Sequence, residues 1–319
     1  MMRVYKKILC VSVLFIFIPA IYIAVSPYVV FCQIRPAEAD ERVPVETVAV
    51  LSGDELMGRF SRTSGIFYDS IKKRIYVTDT VNRRLVSFDS MYKFLAELRD
   101  DIIKMPLSIV KDSRGFFYVV DGEKGSILFI NVRKKLIEEL VVKGDKQGKG
   151  EIFPGRMVID GRDRLYVIDK LHRRIVIINN DGAFIRSFTV NEKEFYGFND
   201  VKVSSSGSIF ALDTVAGVVY IFDGDGNVIS KFGKRGSSEK DFKFPVSLAL
   251  DRDGFIYVLD GHASRVQVFD GSGNLKRTLL KKGANEGELM HPTYIYIDHE
   301  NRIFIADQSR VQIFREIKE

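Results

Sequence analysis

Catalytic zinc requires three converging nitrogen, sulfur or carboxylate ligands, and this chain offers four histidines for such a centre, His172, His262, His291 and His299. Its two cysteines, Cys10 and Cys32, both lie near the N-terminus, so the body of the chain has no thiolate ligand, cysteine nucleophile or disulfide framework. His172 and His262 each follow an aspartate in a loop, His291 precedes Pro292, and His299 sits in a turn at the opposite end of that segment. The first three could share a face. The positions equivalent to His291 elsewhere are Met105, Phe153, Phe198 and Phe244, so no ring of histidines at like positions is expected and neither a metal nor a cofactor is assigned. Two other motifs fail on spacing. Asp223-Gly-Asp-Gly-Asn227 opens like a calcium loop, but Val228 replaces the glycine and Lys234 stands where a bidentate glutamate belongs, which leaves a hairpin turn. Gly144 to Lys149 is one residue short of a phosphate-binding loop and lacks the following Ser or Thr.

A charged pair recurs instead. Asp79/Arg84, Asp169/Arg174 and Asp260/Arg265 share one spacing, Asp307/Arg310 is shorter by two, and Ser126 and Val218 replace the arginine after Asp121 and Asp213. Such a set either lines a ligand funnel or closes the same loop in every copy of a repeat. The second reading is favoured, because a repeat must close its loop each time whereas a ligand site is asymmetric.

The elements that carry these residues repeat. Six runs of apolar residues end in aspartate at positions 79, 121, 169, 213, 260 and 307, spaced by 42, 48, 44, 47 and 47 residues. A period in the forties, rich in β-formers and punctuated by glycine, predicts an all-β, six-bladed β-propeller of four-stranded blades. In the fifth unit Pro245–Asp251, Phe255–Leu259, Arg265–Phe269 and Leu275–Leu280 are the four strands, with Asp270-Gly-Ser-Gly-Asn274 as the last hairpin turn. Unit six ends after its third strand at Val311–Phe314. The unpaired Val45–Leu51 near the front is therefore expected to supply its outer strand and close the ring.

The pattern Phe-x-x-Pro or Phe-Pro, Asp-x-x-Gly, Ile-Tyr-Val-x-Asp, then Arg-Ile/Val-x-x-Phe-Asp-x-x-Gly resembles the NHL repeat over about residues 45–319, most specifically in units three and five. The resemblance implies a six-bladed propeller, in many bacterial members an exported one. It also implies two enzymatic precedents, amidating lyases that hold zinc through histidines and lactonases that hold calcium near the channel. For the second, Asn199 and Asp200 are the only amide–carboxylate pair at a first-strand entrance, and no glutamate stands at one.

The chain's ends and charge locate it. Ile8 to Ile34 is a run of 27 uncharged residues behind Arg3, Lys6 and Lys7, long enough to cross a bilayer and oriented with its N-terminus inward. Residues 1–39 are thus expected to be a signal peptide or signal anchor, and 40–319 an extracytoplasmic propeller, membrane-anchored or secreted. Those first 39 residues carry half of the net charge of +6; the remaining 44 cations nearly balance 41 anions, so no nucleic acid is expected as a partner. The expected function is a non-catalytic binding scaffold presenting propeller loops to a protein, peptide or glycan, the alternative being a metal-assisted lyase or lactonase. The candidate ligand residues are those that start the first strands at the channel mouth, Ser108, Arg156, Asn199, Ser247 and Thr293, with His291 nearby. None of those five titrates near neutrality, so the set suits hydrogen bonding to a polar or anionic ligand, with Arg156 as the anion-reading group.

Overall fold

Short runs of β-branched and aromatic residues separated by Asp- and Gly-containing turns have no option but to pair locally, and they do so six times. The computed structural model describes residues 43–53, 56–145 and 151–317, which form 24 strands in six four-stranded antiparallel sheets. This is a six-bladed propeller. The leader expected over residues 1–39 lies outside the described residues, and among those described no helix is long and apolar enough to cross a membrane.

The inner strands are Thr63–Asp69, Pro106–Lys111, Pro154–Ile159, Asp200–Val203, Pro245–Leu250 and Pro292–Ile297. Each neighbours the next, and that of blade six returns to that of blade one. Second strands such as Leu165–Asp169 and Ile256–Asp260 are buried at every residue because both faces of the sheet meet another blade. The apolar core is consequently divided into six layers, one per blade interface. Ile177, Tyr166 and Phe222 lie between blades three and four, and Leu212, Val258 and Phe269 between four and five.

The ring closes as expected. Val45–Leu51 pairs antiparallel with Arg310–Glu316, from Val45 opposite Glu316 to Leu51 opposite Val311, and becomes the outer strand of blade six. Leu51 is buried in the layer between blades six and one, while Val43 and Val45 pack into the layer between five and six. One strand thus joins two interfaces and covers an edge that would otherwise be free to pair with another chain.

The hairpin turns between third and fourth strands also seal the interfaces. Gly226 and Gly273 hold φ of 91° and 82°, where a side chain is strained, and a Cβ on either would come within 2.6 Å of Phe188 or 2.5 Å of Phe232 from the preceding blade. Both glycines therefore admit a phenylalanine wedge. The Asp223 carboxylate accepts the backbone N–H groups of Asp225 and Asn227, each at 2.9 Å, as a turn of this kind requires.

Candidate functional site

The recurring aspartate closes the loop in front of its own blade. Each carboxylate accepts backbone N–H groups from the segment entering that blade: Ser61 to Asp79, Lys104 and Met105 to Asp121, Phe153 to Asp169, Tyr196 to Asp213, Lys243 and Phe244 to Asp260, Met290 to Asp307. Blades two and four do this without an arginine. Where the arginine exists it adds a second clasp. Arg84 binds Asp79 at 2.7 Å and the carbonyl of Met57 at 2.5 Å, and Arg174 joins Asp169 to Asp145. Arg265 departs from the pattern in donating to the carbonyls of Glu239 and Asp241. These arginines are loop closures, and they leave the channel to other residues.

The inner strands decide which residues meet around the axis. Pairing places Gly65, Ser108, Asp200, Ser247 and Tyr294 each opposite the residue before its blade's marker aspartate. Arg156 occupies the same place after Pro154. Six residues therefore form one tier. A bulge just before that position lifts Thr293, and with it Val246, out of the tier. Asn199 precedes the strand that starts at Asp200. The expected mouth set thus mixes two levels.

Ser108 and Ser247 are 3% and 0% exposed, which closes them to a ligand and corrects their placement at an open mouth. Both staple neighbouring blades. Ser108 Oγ bonds the backbone of Met157 at 3.3 Å; Ser247 Oγ donates to Asp200 Oδ2 at 2.6 Å and accepts the N–H of Ile295 at 3.3 Å. Asp200 Oδ2 likewise accepts the N–H of Leu248 at 2.9 Å. A small polar side chain in this tier therefore ties one blade to the next.

Arg156 reaches farther. Its guanidinium donates to the carbonyl of Val246 in blade five at 2.8 Å and to that of Thr293 in blade six at 2.7 Å, lies 3.4 Å from Asp200 Oδ2, and stacks 4.8 Å above the Tyr294 ring. Blade six stands opposite blade three in a ring of six, so this side chain crosses the channel. Lys202 meets Asp200 Oδ1 at 2.9 Å and approaches Tyr294 at 5.1 Å. Burial acts to raise the Asp200 carboxyl, but Lys202, Arg156 and the Ser247 hydroxyl outweigh it and hold the group below the ordinary carboxylate range. Two cations around one buried anion leave the channel positive.

Lys170, the residue after the marker Asp169, adds a third cation at the mouth. It is solvent-accessible, yet the walls around it lower its pKa, first through burial and then through the charge of Arg156. Its Cε lies where a side chain on Gly155 would stand, so that glycine makes room for it. Thr293 Oγ1 donates to the carbonyl of Thr63, and exposed Asn199 accepts the N–H of Thr214. The hydroxyls of Thr63 and Thr214, on residues 1% and 5% exposed, have no hydrogen-bond partner among the described residues. The histidines do not converge. His172 Nδ1 is 2.7 Å from Asp169 Oδ2, His262 stacks on Phe244, His299 stacks on Tyr68, and exposed His291 is held at φ 58°. Among the described residues no three His, Cys, Asp or Glu side chains are placed to hold a metal ion. Sequence reasoning missed Lys170, Lys202 and Tyr294 as channel residues. Aligning the first strands on their prolines would have found Tyr294, which stands two places after Pro292 as Arg156 does after Pro154.

Comparison with known proteins supports the architecture. Residues 242–269, the core of blade five, match the NHL repeat. No functionally curated protein matches the sequence. A streptogramin B lyase structure superposes with a TM-score of 0.60 at 11% identity, covering 86% of this chain and 98% of the other. Virginiamycin B lyase from Staphylococcus aureus gives 0.58 at 13% identity, over 80% and 95%. A catalytically inactive variant of that enzyme with quinupristin gives 0.59 at 12% identity, over 86% and 99%. At these identities the shared property is the propeller fold.

Proposed function

We propose that this protein is a non-catalytic, exported binding module that seats an anionic group of a protein, peptide or glycan partner in the channel mouth above Arg156. The observation that carries the reading is the crossbar itself. Arg156 spans the channel with its hydrogen bonds committed to protein carbonyls, so the mouth is a cup with a cationic floor rather than an open pore. Arg156 is then the floor and not the anion-reading group, and the free ammonium of Lys170 takes that part. A bound carboxylate, sulfate or phosphate would relieve the repulsion between Lys170 and Arg156. Export rests on the uncharged run from Ile8 to Ile34 behind three cations.

The test uses arrays of acidic and neutral oligosaccharides and peptides probed with the full chain and with Lys170→Met. Expected is capture confined to acidic probes and lowered at least tenfold by the substitution. Equal capture by both proteins would overturn the reading. The alternative, a metal-assisted lyase or lactonase, has the fold in its favour; one equivalent of zinc or calcium in the purified protein, together with ligand turnover, would establish it instead.

A further inference from the structure

Blades one and two meet without the phenylalanine–glycine wedge that seals blade three to four and four to five. Between them lies a cleft of about 400 Å³, far from the channel mouth, on the side where first strands turn into second strands. Its walls are apolar. Leu85 and Leu98 come from blade one and Ile109, Phe117 and Ile130 from blade two, with the Tyr76 ring edge-on to Phe117 at 4.7 Å. Phe188 and Phe232 end their outer strands opposite Ile175 and Val219 and wedge against a glycine in the next blade's hairpin turn. In blade one that position, opposite Leu85, is Leu98, as it is leucine in blade five (Leu279) and blade six (Leu51), and the facing turn, Val132-Arg133-Lys134-Lys135, has no glycine, so this interface has no phenylalanine wedge.

The rim is basic. Lys72, Arg74, Arg114 and Arg133 surround the opening. Arg114 is paired with Asp112, and Lys111 deeper in the cleft with Asp69. Lys72, Arg74 and Arg133 have no carboxylate partner among the described residues. Glu97 is the single acidic residue of the lining and is already held between Arg84 and Arg99 at 2.7 and 2.8 Å. An apolar slot with unneutralised cations at its lip is complementary to a molecule with a hydrocarbon tail and an anionic head.

We propose that this cleft is a binding site for a single-chain alkyl carboxylate, its tail between the blades and its head among Arg74, Lys72 and Arg133. At about 30 Å³ for each water-sized group, 400 Å³ holds on the order of a dozen carbons. A diacyl lipid is too large for it, and a slot between two blades suits one chain. The proposal is independent of the channel mouth.

Calorimetric titration of the full chain with octanoate, decanoate and dodecanoate tests it. Each methylene added to the buried tail should tighten binding about fourfold, and dodecanol should bind at least tenfold more weakly than dodecanoate. Ala96→Phe fills the cleft from an exposed position on the outer strand of blade one, where it should leave the melting temperature unchanged while weakening dodecanoate at least tenfold. Ser87→Leu, on the adjacent strand, is a second filling variant should the first fail to fold. The triple substitution of Lys72, Arg74 and Arg133 by alanine should reduce dodecanoate to the affinity of dodecanol. Affinity independent of chain length, unchanged binding in the filled variant, or binding only to vesicles of anionic phospholipid would each overturn the proposal.

Discussion

Replacing Asp200 with alanine should destabilise the propeller more than replacing the arginine that crosses the channel to meet it. Asp200 is 1% exposed and accepts from Ser247 Oγ at 2.6 Å, Leu248 N–H at 2.9 Å and Lys202 Nζ at 2.9 Å, with Arg156 at 3.4 Å. Its removal strands two largely buried cations, a buried hydroxyl and a buried amide in one step. Breaking a buried pair from one side costs about 3–5 kcal/mol, and in a domain of this size each kcal/mol corresponds to roughly 2–4 °C, which places the loss at about 6–20 °C. Arg156→Met leaves Asp200 with Lys202, Ser247 and Leu248 and frees two carbonyls that water at the mouth can reach, for a cost of about 1–2 kcal/mol. The assay is thermal unfolding by circular dichroism at pH 7 for both variants and the double variant. In the double variant part of the Asp200 loss should be recovered, because one stranded cation is gone. The sign of the pH dependence follows from the same contacts. A carboxyl held below its unfolded value contributes stability that is present above about pH 4 and lost as the pH falls through its folded value. The gap between wild type and Asp200→Ala should therefore be constant from pH 7 to about pH 5 and narrow only in stronger acid. Asp200→Ala melting within 2 °C of wild type, or Arg156→Met melting lower than it, would refute the argument.

Deleting Val45–Leu51 should lower the melting temperature of the whole propeller and promote self-association, since it bares the edge of Arg310–Glu316; size-exclusion chromatography and thermal unfolding of the deleted chain check this. Arg174→Ala removes the cation that joins buried Asp169 to buried Asp145 and should cost about 3 kcal/mol by urea unfolding. The Asp169 carboxyl, which burial alone would raise and the Arg174 and His172 contacts bring below the ordinary range, should then titrate higher. Anion capture at the mouth should weaken as the pH rises through the lowered pKa of Lys170, and Lys170→Met should remove that dependence; a pH profile of binding to an acidic probe separates the two.

Much of the architecture was legible in the order of residues. Six apolar runs ending in aspartate fix six blades, because a β-rich period in the forties closes on itself only as a ring of sheets. The missing fourth strand of unit six and the orphan Val45–Leu51 are two halves of one accounting, and backbone hydrogen bonding leaves them no better partner than each other. The role of the aspartates was also readable, since a residue repeated in every blade serves what every blade needs, here the N–H groups of the entering loop. The same logic explains why Asp121 and Asp213 work without arginines.

The channel was not legible in the same way. Side chains in a strand alternate with a period of two, so an error of one residue moves a candidate to another level. The bulge at the start of the inner strands makes that error where it matters, separating Thr293 from the tier of Ser247 and Tyr294. Ser108 and Ser247 are small and polar, as a ligand residue would be, and only packing shows that the neighbouring blade has already claimed them. Arg156 meets carbonyls 90 and 137 residues away, contacts that exist because the ring brings blade six opposite blade three. Local pattern determines which strands form and in what order they stack. What a side chain touches across the axis is determined by closure of the ring, to which every blade contributes.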